Sequence, residues 1–336
     1  MTGFNGLEQG KEIILTCMLD SSKKRRKRFQ RDPKVSLKLT DRDRQIIHWV
    51  YRHRFLSSKH IISLVEGSAQ GILRRLNLLF HAGYLDRPKR QIAAFGNNHH
   101  MVYGLGNKGA NLLASELDLP VETVDWSRKN RDAKEIFLEH TLMVSRILTT
   151  FRLACRKQKN LEFVEPEHLI KCRQKPPTIK THALSWRAKI SNGQYGQKRN
   201  FTFNMIPDSL FGLRMKKDNR IKETYFFLEA DRATMPIRRA NFFRSSFYKK
   251  MVGYIASYKN EIFSEYFGFK KIRILTVTKS DDRIKSMVQV NKDLHGTGNG
   301  YNLFLFAKND LINIDKSEKL FKQIWINGQG KKTMLQ

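Results

Sequence analysis

Three absences bound this 336-residue chain. Cysteine is scarce: Cys17, Cys155 and Cys172 are the only three, with no short interval between any two. Neither a disulfide framework nor a zinc knuckle can be read from that spacing, and reduced thiols in a cytosolic protein are the simplest account. No apolar run reaches bilayer-spanning length. The apolar stretch 12–20 is too short and too late for a signal peptide. A soluble, cytoplasmic protein with no membrane partner is expected. Carboxylates are also few, 31 Asp and Glu against 63 Lys and Arg.

That imbalance leaves a net charge of +32. Such a surplus repels itself unless something anionic screens it, and the usual partners are nucleic acid or anionic lipid. The run Lys23–Arg28 supplies only six of those charges. The excess is therefore distributed, as on a surface that tracks a phosphate backbone. Hydrophobic residues, at 40%, suffice for a real core and argue against global disorder. The length suggests two domains.

Residues 1–37, with Gly3, Gly6, Gly10 and the basic run, read as a flexible cationic arm. Thr40 is a good N-cap for an amphipathic helix over 41–54, with Ile46, Ile47, Val50 and Tyr51 on one face. Phe55-Leu56 turns the chain into a short helix through Val65, and a third helix runs from about Ser68 to Ala82 and stops at Gly83. A strand from Tyr84, a turn at Phe95–Asn98 and a returning strand Met101–Leu105 make a hairpin, and a helix follows to Leu117. This order is that of a winged helix over 38–118. After a polar joint come a long helix (133–157), a strand (161–164), a loop or hairpin (172–200) and strands 201–206, 209–214 and 223–229. A long helix (239–263), a buried strand (271–278), a helix (281–291) and a strand (301–307) follow, and 311–336 reads as a basic tail. The fold class expected is α+β.

In a helix-turn-helix the second helix of the pair lies in the major groove. The groove helix here would be 68–82, offering Gln70, Arg74, Arg75 and Asn77 to base edges. Ser57 and Lys59 suit phosphates, and the hairpin would add Arg87, Lys89 and Arg90 near one end and His99 and His100 near the other. Adjacent histidines on a strand point to opposite faces, so phosphate contact fits them better than chelation.

A second constellation lies in the C-terminal half. Pro207-Asp208 joins two strands, and Glu229 and Asp231 share one face at the end of another. Carboxylates from neighbouring strands can converge on a hard cation such as Mg²⁺, which could polarise a phosphate and activate water. The same groups could equally be structural ion pairs with Arg238, Arg239 or Lys250. His140, on the long helix, reads as a core or interface histidine.

The chain resembles the replication-relaxation family of plasmid and mobile-element proteins. The matching features are RLNLLFHAGYLDRP (75–88), YGLGNKGANLL (103–113), Glu139-His140, Pro207-Asp208, Glu229-Ala230-Asp231-Arg232, and Lys249 and Lys250 before Tyr254. They span roughly 40–306. The resemblance implies a winged helix followed, over about 133–310, by a degenerate PD-(D/E)xK nuclease-like α/β domain with a central mixed sheet. Asp208 and Glu229 would then be metal carboxylates, with Glu139 a further helix carboxylate. Asp231 stands where that nuclease pattern has lysine, so Lys249 or Lys250 would have to act as a migrated substitute. Two functions follow: a non-catalytic binder of double-stranded DNA that assists a relaxase or replication initiator, with a dimer one arrangement open to it, or a Mg²⁺-dependent endonuclease.

Overall fold

In the computed structural model, Thr40 opens α1 (Asp41–His53) through a capping box. The Thr40 hydroxyl accepts from the Asp43 N–H at 3.3 Å, and the Asp43 carboxylate accepts from the Thr40 N–H at 2.8 Å. Two donors that the helix cannot use are thereby satisfied. Ile46, Ile47 and Val50 recur on the inner face and are fully buried. The structure describes residues 28–121, 127–171, 183–218, 220–269, 272–295 and 302–335, so Lys23–Lys27, Cys17 and Cys172 lie outside the described residues. Cys155 is a buried free thiol.

Phe55-Leu56 does more than turn the chain, because β1 (Phe55–Ser57) is a strand. Two serine-capped helices follow, α2 (Ser58–Leu64) and α3 (Ala69–His81). Next come β2 (Leu85–Asp86), α4 (Gln91–Phe95), β3 (Val102–Leu105), α5 (Asn107–Leu117), the short α6 (Ser127–Arg131) and the long α7 (Glu135–Arg156). β3 is the middle strand of an antiparallel β1-β3-β2 sheet. The expected hairpin pairing of β2 with β3 is present, but its connection is not an exposed tip. Ile92-Ala93-Ala94-Phe95 is too apolar to project into water. It forms α4 against α7, where Phe95 packs with Phe55, Val102, Ala133 and Leu138.

Residues 28–37 are not part of a flexible arm as expected over 1–37, and residues 1–27 lie outside the described residues. From Arg28 the chain is held on α3 and β2. The Asp32 N–H donates to His81 Nδ1 at 2.9 Å, Arg31 pairs with Asp86, and Arg87 donates to the Arg28 carbonyl at 2.7 Å.

The remaining elements are β4 (Leu161–Val164), α8 (Pro166–Lys171), β5 (Trp186–Ile190), β6 (Phe201–Met205), β7 (Ser209–Lys217), β8 (Arg220–Ala230), α9 (Phe247–Lys259), α10 (Ile262–Phe267), β9 (Ile272–Thr278), α11 (Asp281–His295), β10 (Phe304–Lys308), β11 (Trp325–Asn327) and β12 (Lys332–Thr333). A seven-stranded mixed sheet runs β12-β11-β10-β9-β8-β7-β4, with β8, β9 and β10 parallel and the other pairs antiparallel. Period-two alternation divides its side chains. Phe226 and Leu228 of β8 join Ile147 and Phe151 of α7 on one face. Phe227 joins Met251 and Tyr254 of α9 on the other. Each fully buried Phe of this kind contributes about 2 kcal/mol of transfer free energy.

Three segments depart from expectation. Residues 311–335 are not a basic tail: β11 and β12 extend the sheet, and Trp325 is fully buried against Phe151. The helix expected over 239–263 begins only at Phe247, where Ser246 caps it, and is interrupted at Glu261 with φ 54° before α10. Within 172–200, β5 pairs with β6 as a separate two-stranded sheet, so β6 is not part of the main one. Gly253 allows that hairpin onto α9, since a Cβ there would come within 2.4 Å of Met205 Sδ.

The N-terminal elements dock on α7. Ser145 Oγ donates to the Phe55 carbonyl at 2.9 Å, Arg156 donates to the Leu64 carbonyl at 3.1 Å, and Arg152 meets His53 Nε2 at 2.9 Å. Burial and the neighbouring Arg152 hold His53 well below the ordinary histidine range, so it accepts that bond as a neutral ring.

Candidate functional site

Two places collect the residues that the sequence singled out. The first is α3. Its apolar face, Ile72, Leu76, Leu79 and Phe80, is buried, while Gln70, Arg74 and Asn77 face outward. Arg75 turns away from solvent. Its Nε donates to Asp43 Oδ1 at 2.9 Å and its guanidinium also reaches the Lys38 carbonyl, so it ties α3 to the start of α1. Asn77 accepts from Arg87 at 2.9 Å, and Arg87 is buried with its guanidinium 4.0 Å from the Phe80 ring centroid. Lys59 pairs with Asp315, Arg90 pairs with Glu135, and His99 bonds Gln91 and the Gly96 carbonyl. Ser57 spends its hydroxyl on the α2 cap. Of the side chains expected to meet DNA, Gln70, Arg74, Lys89 and His100 remain exposed with no ion pair among the described residues.

The structure adds two cations beside them. Arg42 lies over Gly67, immediately before the Ser68 cap, with its guanidinium carbon 3.1 Å from where a Cβ would sit. Lys38 is exposed on the segment that Arg75 holds. No local signal marks either. One precedes the first helix and the other belongs to the acidic first turn of α1, and the packing of α1 on α3 sets Arg42 over the entry to α3 and the Lys38 backbone beside Arg75.

The second place is a cavity of about 490 Å³ between α7, the end of β8 and the start of α9, lined by His140, Asp208, Glu229, Asp231, Arg232 and Lys250 among others. Asp208 and Glu229 do come together there. Asp208 sits at the start of β7, where its Oδ1 meets His140 Nε2 at 3.1 Å and its Oδ2 accepts the Ala230 N–H at 2.7 Å. Glu229 is buried on the α9 face. Lys250 Nζ and the Tyr254 hydroxyl each donate to it at 2.5 Å. Asp231 is held by Arg283 (2.8 Å to Oδ1) and by the Thr278 hydroxyl at 2.5 Å. Arg232 pairs with Glu139 instead of joining the carboxylates. Lys249 faces away: its ammonium donates to the Phe243 carbonyl at 2.9 Å. Arg238 and Arg239 are likewise elsewhere, on Asp293 and the Ser245 carbonyl.

The protonation states follow from these neighbours. Burial pushes the Glu229 carboxyl up to about 7, against the pull of Lys250. Burial would raise Asp208 too, but His140 and Lys250 outweigh it and hold the carboxyl below its ordinary value. The Asp208 hydrogen bond raises His140. His140 thus serves neither the apolar core nor the contact with the N-terminal elements. It is a partner of Asp208 at the cavity wall.

This donor set does not fit Mg²⁺. A hard divalent cation needs several ionised oxygens turned toward one point. Here each carboxylate already accepts from a protein donor at both of its oxygens, and a metal on Glu229 would have to displace the Lys250 ammonium. Among the described residues no group of three His, Cys, Asp or Glu side chains could hold a metal ion. Lys250 does reach a carboxylate, but as its counter-charge.

A replication-relaxation family model matches residues 47–270, two-thirds of the chain. The chain belongs to the replication-relaxation family. No curated protein and no solved structure matches it. Membership points to a role in the replication of plasmids or mobile elements. The match takes in both α3 and the carboxylate cavity of this replication-relaxation protein. Among its described residues, no helix is long and apolar enough to cross a membrane.

The buried Glu229 makes a titration prediction for this replication-relaxation protein. Its folded value of about 7 lies above the ordinary 4.5. Below the lower value both folded and unfolded chains hold the proton. Between the two values only the unfolded chain releases it, so stability falls as pH rises. Above the folded value the loss is complete, at roughly 3 kcal/mol. Glu229→Gln removes this dependence. Urea unfolding from about pH 4 to pH 8 should show the variant gaining on the parent by that amount, whereas a pH-independent difference would place the Glu229 carboxyl in the ordinary range.

Proposed function

We propose that this protein is a cytoplasmic binder of double-stranded DNA that assists replication or mobilisation of a plasmid or mobile element, without cutting the DNA. In this reading the N-terminal elements act as a winged helix with an abbreviated wing. α3 enters the major groove by its first two turns, where Gln70 and Arg74 reach base edges and Lys38 and Arg42 hold phosphates. The observation that carries it is the exposed α3 face, where Gln70 and Arg74 face solvent, Arg42 lies over Gly67 and Lys38 stands on the segment held by Arg75, with no carboxylate partner for these cations among the described residues, in a chain of net charge +32. The carboxylate cavity then belongs to a nuclease-like domain whose former catalytic positions are occupied by internal ion pairs. A relaxase or replication initiator is the partner enzyme that such an accessory protein would serve.

Supercoiled plasmid tests both halves. With Mg²⁺ present, the protein should retard the plasmid in a gel and leave it supercoiled. Arg74→Glu should abolish most of the retardation. Nicking or linearisation that disappears in Asp208→Ala and Glu229→Ala would replace this reading with an endonuclease, and retardation indifferent to Arg74→Glu would remove α3 from the interface.

A further inference from the structure

The edge of β6 and the segment before α9 bring four phenylalanines together. Phe201 and Phe203, two apart on one strand, point the same way and stack at 5.8 Å between ring centroids. Phe242 meets both edge-on, at 5.3 and 6.3 Å. Phe243 lies edge-on to Phe201 at 5.8 Å and is 56% exposed. A core cluster does not leave a phenylalanine half in water, and here the exposed ring is the outermost of a connected set.

Three cations flank the outer rings, and the neighbouring carboxylate of Asp293 is taken up by Arg238. Lys249 Nζ sits 5.0 Å from the Phe203 ring centroid, and its bond to the Phe243 carbonyl fixes the turn that presents Phe243. Arg199 sits 5.9 Å from the Phe243 ring centroid. Arg244 follows Phe243, exposed and without an ion pair among the described residues. A surface built to dock another protein's apolar face gains nothing from unpaired guanidinium groups at its rim. Rings that accept a flat π-face, flanked by cations at phosphate-reaching length, suit bases on a charged backbone. A duplex keeps its bases stacked inside and offers no free face, so the match is to an unpaired strand.

We propose that Phe243, supported by Phe201 and Phe242 and flanked by Arg199, Arg244 and Lys249, is a stacking platform for single-stranded DNA, separate from α3. It rests on different elements from the duplex-binding reading and stands or falls apart from it.

The probe is fluorescein-labelled oligo-dT of about 12 nucleotides, within the range that such sites span, titrated with the full chain in fluorescence anisotropy. Phe243→Ala should weaken binding roughly tenfold or more. Because the ring is exposed, thermal melting should change little. Phe243→Trp should restore binding, since it supplies a larger π-face. Arg199→Glu with Arg244→Glu should weaken binding and flatten its salt dependence. Arg74→Glu should leave oligo-dT affinity unchanged while weakening duplex binding. No measurable oligo-dT binding by the parent chain would overturn the proposal. So would unchanged affinity in Phe243→Ala, or loss of oligo-dT binding in Arg74→Glu alone, which would assign both strands to α3.

Discussion

Duplex affinity should fall roughly a thousandfold when salt is raised from about 50 to 200 mM, if the protein neutralises about six phosphates. Each phosphate contact releases condensed counterions, and added salt opposes that release. Three of the cations expected to contribute are Lys38, Arg42 and Arg74, which carry no carboxylate partner among the described residues. Arg42→Glu should reduce the slope of log affinity against log salt by about one or more, because it removes one phosphate-reaching cation and adds a repulsive carboxylate. Gln70→Ala should leave the slope unchanged and instead narrow the gap between a cognate site and random DNA, the signature of a base contact. Anisotropy titrations at several salt concentrations measure both quantities. A salt-independent affinity would contradict phosphate-led binding.

Arg75→Ala should destabilise the fold by about 3 to 5 kcal/mol and leave the duplex affinity of the folded protein nearly unchanged. Asp43 is fully buried and receives both the Thr40 N–H and the Arg75 guanidinium. Burial alone would raise the Asp43 carboxyl, but the bonds from Arg75 and Thr40 reverse this and hold it below its ordinary value. Removing Arg75 strands that carboxylate in the α1–α3 interface with its capping bonds only. Part of the cost can be relieved by protonation, so the loss should shrink in acid. Replacing Asp43 and Arg75 together by Asn and Met should recover much of the stability, because no uncompensated charge then remains. Chemical denaturation of the three variants at neutral and acidic pH decides the matter. Equal stability of Arg75→Ala and the parent would show the arginine to be free for DNA after all.

Arg75 also marks where reading a sequence stops. Helical period placed it on the polar side of α3, and there it is. Whether a polar-side arginine faces water or a buried carboxylate depends on what packs beside it, and Asp43 lies 32 residues away. The same limit applied to Asn77, Arg87, Lys59 and Arg90. Each is a basic or amide group on an element of the right kind, and each meets a partner elsewhere on the chain, from 10 residues away for Asn77 and Arg87 to 256 for Lys59 and Asp315. The hairpin at 84–105 was legible as pairing. Its tip was not, because α4 is stabilised by α7 and not by its own five residues.

Local chemistry carried most of the element list. The cap at Thr40, the apolar face of α1 and the stop at Gly83 after α3 are short-range signals that need no packing to be legible. Residues 311–335 read as a basic tail because their two strands are only three and two residues long and lie among lysines of the connecting segments, and they become strands only by adding to an existing sheet edge.

What the sequence determined by itself was the charge, the longer amphipathic helices such as α1, α3 and α7, and the convergence of Asp208 with Glu229 through strand adjacency and period. Tertiary structure alone decided which cations are spent inside the protein and which remain for a partner. It placed Lys250 on Glu229 and Arg283 on Asp231, and it left Arg42, Arg74 and Arg199 without carboxylates among the described residues. The reason is physical: a side chain's charge follows from its residue type, but its counter-charge is set by whichever distant segment the fold packs against it.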